Sequence, residues 1–192
     1  VENPMYPYKS SEGDSDYRNS EDPYAPLGSI DSTEYDWGYN NKISNGGNVA
    51  NLWHTMSQDE WNYILTSRPN AANLYGAAQV NGVNGIIILP DAWTLPEGVS
   101  FTKGFNETSL YELNTYTTTD WTKMEANGAV FLPATGYRKG TTVNDAGIDG
   151  YYWTGTRIGI GQTFKFTSTS IKTNYMWNDC IGYGVRVVQT AE

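Results

Sequence analysis

Two short runs of this chain mirror each other and narrow what it can fold into. Asn84-Gly85-Ile86-Ile87-Ile88-Leu89-Pro90 and Asn127-Gly128-Ala129-Val130-Phe131-Leu132-Pro133 each open on Asn-Gly, continue as apolar residues and close on Leu-Pro. An apolar run bracketed by Gly and Pro reads as a buried strand. Each run follows a tryptophan-led segment with helix-start chemistry. Ser57-Gln58-Asp59-Glu60 is a capping box, with Glu60 reaching back to the cap amide. Trp61, Ile64 and Leu65 then form an apolar stripe at helical spacing, which Pro69 ends. Thr117-Thr118-Thr119-Asp120, with Trp121 and Met124, signals a second helix that Gly128 stops. The pattern predicts helices over 57–68 and 118–127 and buried strands over 86–89 and 129–132. After Gly136 the helix signal disappears. Tyr151-Tyr152-Trp153-Thr154, 162–167 and a closing run over 184–189 read as strands. Phe164 and Phe166 share one face, and Val185 and Val187 another. The class is α+β, rich in loops, and loops are where such domains bind.

Composition bounds the function. A chain of 192 residues can bury roughly 70% of its unfolded surface and needs no metal or disulfide to fold. A single cysteine, Cys180, excludes an internal disulfide framework. The net charge of −9 argues against nucleic acid and anionic membrane surfaces. No apolar stretch is long enough to insert in a bilayer. The chain opens on Val1 rather than Met, which points to a removed leader. Residues 1–34 form an acidic, Pro- and Tyr-rich extension. Through Ile30 it holds six acids against Lys9 and Arg18, and four of the eight prolines. It cannot bury enough to fold alone. It serves either as a spacer or as an extension lying on the domain through Tyr6, Tyr8, Tyr17 and Tyr24; we favour the second. The domain proper spans 35–192.

Many words of the chain, in order, are similar to one family. Among them are Asp36-Trp37-Gly38, Ser44-Asn45-Gly46-Gly47-Asn48, Asn51-Leu52-Trp53, Glu60-Trp61, Val80-Asn81-Gly82-Val83-Asn84-Gly85 and Ile88-Leu89-Pro90-Asp91. Asn114-Thr115-Tyr116, Trp121-Thr122-Lys123-Met124-Glu125, Gly136-Tyr137-Arg138, Gly150-Tyr151-Tyr152-Trp153 and Val185-Arg186-Val187-Val188 follow. From about Tyr35 to Gln189 the chain resembles the bacterial major-paralogous-domain (FISUMP-like) proteins. The resemblance implies a secreted or surface protein of a Gram-negative bacterium, often lipid-anchored. It also implies a C-type-lectin-like fold, shared with formylglycine-generating enzymes: two helices, a small mostly antiparallel sheet and long loops. It transfers a location and a scaffold rather than an activity.

Trp177-Asn178-Asp179 stands where calcium-dependent C-type lectins carry a Trp-Asn-Asp word. Calcium takes six to eight oxygens. The complementary Pro-containing word is missing between Pro133 and Gly150, so no metal is expected. Formylglycine generation relies on paired cysteines, and Cys180 is single. His54, the one histidine, is expected to be a half-buried structural ring with a backbone partner. Asp91 and Asp149 have no spacing that favours glycoside hydrolysis. We expect a non-enzymatic module without cofactor.

Trp61, Trp93, Trp121 and Trp153 lie inside family words and are expected in the core. Arg138 and Arg186 are expected to anchor long loops. Tyr175 and Trp177 lie where family words are sparse, and suit either loop packing or a binding surface. The expected ligand, an extracellular protein or glycan, is held on the face over 157–183 by Arg157, Asn174, Tyr175, Trp177, Asn178, Asp179 and Tyr183. Two alternatives stay open. One is a structural pilus-tip or coat component. The other is a variable binder diversified by a retroelement, with Asn174, Tyr175, Asn178, Asp179, Cys180 and Ile181 as varied positions.

Overall fold

The computed structural model describes residues 29–30, 36, 38, 42, 49–50, 52–105, 111–158, 160–177 and 181–189. Tyr6, Tyr8, Tyr17, Tyr24, Asn178, Asp179 and Cys180 lie outside them.

The first strand, β1 (Trp53–Thr55), leads into α1 (Gln58–Asn62). The capping box forms in both directions. The Glu60 amide donates to Ser57 Oγ at 3.2 Å, and the Ser57 amide to Glu60 Oε2 at 2.7 Å. The helix does not stay α as far as Arg68. It widens into one π-helical turn, Tyr63–Ser67, closed by the Arg68 amide on the Tyr63 carbonyl at 2.9 Å. Pro69 then disfavours helical backbone at Arg68, which is extended (ψ 154°).

Strands β2 (Tyr75–Val80) and β3 (Val83–Ile88) form a hairpin. Its turn residues Asn81 and Gly82 both have positive φ, 49° and 78°. Asn-Gly suits such a turn, whose twist matches that of the flanking strands. β4 (Thr115–Tyr116) precedes α2 (Thr118–Ala126). Thr117 and Asp120 form a second capping box. Gly128, at φ +88°, ends α2. Its amide bonds the Glu125 carbonyl at 2.9 Å while the Ala129 amide bonds that of Met124 at 3.1 Å, a Schellman ending. β5 (Val130–Pro133) follows, and the sheet order is β4-β2-β3-β5.

The two mirrored runs are antiparallel neighbours: Ile86 lies opposite Leu132 and Ile87 opposite Phe131. Alternation then sends their side chains to two cores. Ile86, Ile88 and Leu132 join Trp61, Leu65, Tyr152, Phe164 and Phe166 on one side. Ile87 and Leu89 join Tyr116, Met124 and Ala129, beneath Trp121 and Phe131, on the other. Burying a side chain of this size stabilises by roughly 1.5–3 kcal/mol each.

The second half is strands. β6 (Tyr137–Lys139) and β7 (Thr142–Asn144) make a small hairpin. β8 (Gly150–Ile158), β9 (Ile160–Phe166), β10 (Ile171–Met176) and β11 (Gly184–Val185) form a sheet in the order β10-β9-β8-β11. The closing run is two strands rather than one. β11 pairs parallel with β8, and β12 (Val187–Gln189) pairs antiparallel with β1. The chain changes sheets at Arg186, whose carbonyl accepts the Met56 amide at 3.4 Å. Val185 and Val187 therefore do not share a face; Val185 is exposed. The architecture is α+β with mostly strands.

Hydrogen bonding to the domain begins upstream of residue 35. The Ile30 amide bonds the Gly155 carbonyl at 2.8 Å, and the Arg157 amide bonds Ser29 Oγ at 2.9 Å. Asp36, wholly buried, accepts from the Gly38 amide and from the amide and hydroxyl of Thr55, each at 2.8 Å. Among the described residues, no helix is long and apolar enough to cross a membrane.

Candidate functional site

The site grows out of alternation along β9. Phe164 and Phe166 point into the core, so Thr163 and Lys165 point the other way. Lys165 stands opposite Tyr151 of β8 and Lys172 of β10; Thr163 stands opposite Trp153 and Tyr175. The outer face of this sheet thus carries Tyr151, Trp153, Lys165, Lys172 and Tyr175. Tyr137, Trp177 and Tyr183 pack onto it.

The rings form one connected layer. Tyr183 stacks on Tyr151 at 5.3 Å and meets Trp153 edge-on at 4.7 Å. Tyr137 touches Tyr151 at 5.4 Å and Trp177 at 5.1 Å. Tyr175 meets Tyr151 at 5.9 Å and Trp177 at 6.3 Å. The Lys165 ammonium sits among them, 4.8 Å from the Tyr151 ring centre and 5.1 Å from that of Tyr175. It pairs with Asp149 Oδ2 at 3.0 Å, and the Tyr151 hydroxyl donates to the same oxygen at 3.2 Å.

Burial opposes the Lys165 charge, but the Tyr151 hydroxyl and the Asp149 carboxylate outweigh it and raise its pKa. Burial pushes the Tyr151 hydroxyl up to about 12, with the Asp149 and Asp145 charges adding to the rise and Lys165 opposing it. Lys165 is therefore a cation at neutral pH, unsuited to act as a nucleophile, and Tyr151 is a neutral donor rather than a base. Such an arrangement sets buried and half-buried rings around a lysine–aspartate ion pair.

No protein-family model, curated protein or solved structure matches this chain.

Of the residues expected at the site, Tyr175, Trp177 and Tyr183 come together in the ring layer, each half-buried. Asn174 is exposed beside Tyr175 on β10. Arg157 lies elsewhere: it is opposite Gly161 near the β8–β9 turn, and its backbone is held by Ser29. Ile181 is 1% exposed, so as a varied position it would offer a ligand nothing. His54 is largely buried, with Nε2 2.9 Å from Glu60 Oε1, so a side chain is one partner of its ring. Burial opposes the Glu60 charge, but Ser57 and His54 hold its carboxyl below the usual range. Trp61 is core; Trp93, Trp121 and Trp153 are half-buried. Arg138 anchors through its backbone, exchanging two 2.8 Å hydrogen bonds with Gly182. Arg186 is exposed and also anchors through its carbonyl.

Tyr137, Tyr151, Lys165 and Lys172 line this candidate site though pattern reading did not single them out, and Asp149, weighed there only for glycoside hydrolysis, joins them. One signal was present: a lysine between two phenylalanines in a strand must face away from their core.

Proposed function

We propose that this chain is a non-catalytic binding module of the outer surface or surroundings of a Gram-negative bacterium, related to the major-paralogous-domain proteins. Its ligand, an extracellular protein or glycan, lies on the outer face of the β10-β9-β8-β11 sheet, centred on Tyr175, Trp177 and Tyr183. The observation that carries this reading is the layer of six half-buried or buried rings around Lys165. Large rigid rings supply contact area at low entropic cost and dominate binding hot spots. Among the described residues, two short α-helices, small mostly antiparallel sheets and long connections support a C-type-lectin-like reading of the fold.

The test is a screen of the purified domain against glycans and surface proteins, repeated with Trp177→Ala. The variant should lose about 2 kcal/mol or more of affinity for any ligand found. It should lose only about 1–2 kcal/mol of stability, because the ring is half-buried and its contacts are mainly ring pairs. A folded Trp177→Ala domain that binds as tightly as the wild type would place the ligand elsewhere.

A further inference from the structure

At the β9–β10 turn, on the same outer face, a recess of about 140 Å³ is lined by Lys165, Thr167, Ser170, Lys172 and Tyr175. At about 30 Å³ per water it has room for four or five water-sized groups, enough for a carboxylate or a sulfate. Its rim is fixed. Thr167 Oγ1 accepts the Thr169 and Ser170 amides at 3.1 Å each, and the Thr167 amide bonds the Ser170 carbonyl at 2.9 Å. Two lysines face each other across the ladder here. Like charges directly opposite destabilise a sheet, a cost that the carboxylate beside Lys165 lowers without itself pairing with Lys172. Asp149 balances Lys165, which leaves the recess one net positive charge, that of exposed Lys172. A singly charged group matches it better than a phosphate monoester, whose charge at pH 7 is about −1.5 to −2.

The surroundings agree. Residues 137–189 hold six Lys or Arg against three Asp, so this region is net +3 in a chain of −9. The acidic remainder disfavours long polyanions, while a small monoanion is drawn by charges within a Debye length of about 8 Å. Tyr175 forms one wall and continues into the ring layer, giving a flat face beside the charge. Resting on the binding-module reading, we infer that the recess takes the carboxylate or sulfate group of an acidic sugar, whose ring lies against Tyr175.

Titration calorimetry of the whole chain with N-acetylneuraminic acid, glucuronic acid and glucose 6-sulfate, against N-acetylglucosamine, glucose and glucose 6-phosphate, tests this. At least one acidic sugar should bind about tenfold more tightly than its neutral counterpart, with inorganic sulfate competing. Lys172→Ala and Lys172→Glu should both abolish the preference, because losing one hydrogen bond to a charged group is worth about that tenfold. Because Lys172 is exposed and both variants remove the like-charge pair, neither should melt below the wild type. Equal binding of acidic and neutral sugars, a preference for the phosphate, or acidic-sugar binding that survives Lys172→Glu would overturn the inference. So would binding of an acidic peptide with no sugar bound. None of these results touches the broader reading, which stands or falls on whether a ligand depends on Trp177.

Discussion

Replacing Arg68 by Met should cost about 3–5 kcal/mol of stability, because it removes two hydrogen bonds from a buried charged donor to backbone carbonyls. The guanidinium is 7% exposed at the junction of the first helix and β3. Its Nε donates to the Ile64 carbonyl at 2.7 Å, its Nη2 to the Leu89 carbonyl at 2.8 Å and its Nη1 to Asp91 Oδ1 at 3.1 Å. Methionine keeps the apolar stem and removes every donor. Two hydrogen bonds from a charged group to carbonyls contribute about 1.5–3 kcal/mol each. The Asp91 pair adds little, since that carboxylate is 65% exposed and water screens it to about 0–1 kcal/mol. Asp91→Asn should therefore cost less than about 1 kcal/mol. Arg68→Lys should fall between, because one ammonium cannot span three acceptors set by a planar fork. Urea unfolding followed by far-ultraviolet circular dichroism measures all three. If Asp91→Asn costs as much as Arg68→Met, or Arg68→Met stays within about 1 kcal/mol of wild type, the carbonyl clamp is not what matters.

Trp61→Ala, which removes a 1% exposed ring stacked 4.4 Å from Phe164, should cost about 3–5 kcal/mol. Trp121→Ala should cost less, about 1–3 kcal/mol, because that ring is half-buried against Phe131; thermal melts rank the two. Alkali should destabilise the fold. Tyr116 and Tyr151 are both pushed up to about 12, mainly by burial, and the Lys165 pKa is raised. The folded state holds these protons longer than the unfolded chain, so stability is full below about pH 10 and lost as pH rises towards 12. Glu60 acts at the other end. Its lowered pKa adds stability above the unfolded value of about 4.3 that disappears as pH falls through the folded one. Denaturant midpoints measured across pH should show both slopes.

Local chemistry was legible from the chain alone. Ser57 with Glu60, Thr117 with Asp120, and Gly128 act within a turn of themselves, and each forms as its neighbours dictate. The buried runs were legible because four apolar residues in a row leave no other place. That the two runs pair with each other was not, since register depends on which strands lie between them. Lys165 shows the limit most clearly. Its face follows from Phe164 and Phe166, but its partners Asp149, Tyr151 and Tyr175 come from two other strands and a loop. The splitting of the closing run at Arg186 likewise depends on β1 and β8 belonging to different sheets. No pattern within 184–189 records that.

The stacking of Trp61 on Phe164 also sets a timetable. The two rings leave the ribosome about 100 residues apart, which at 5–20 residues per second is roughly 5–20 s. β1 waits longer still, because its ladder partner is β12. During that interval a growing chain carries a tryptophan covered only in part, by residues such as Leu65, Ile86 and Leu132, and an open strand edge. Until β12 appears, such a polypeptide exposes an edge that can pair with its neighbours. A truncation anywhere before β9 should leave a product that quality control removes instead of a smaller working domain.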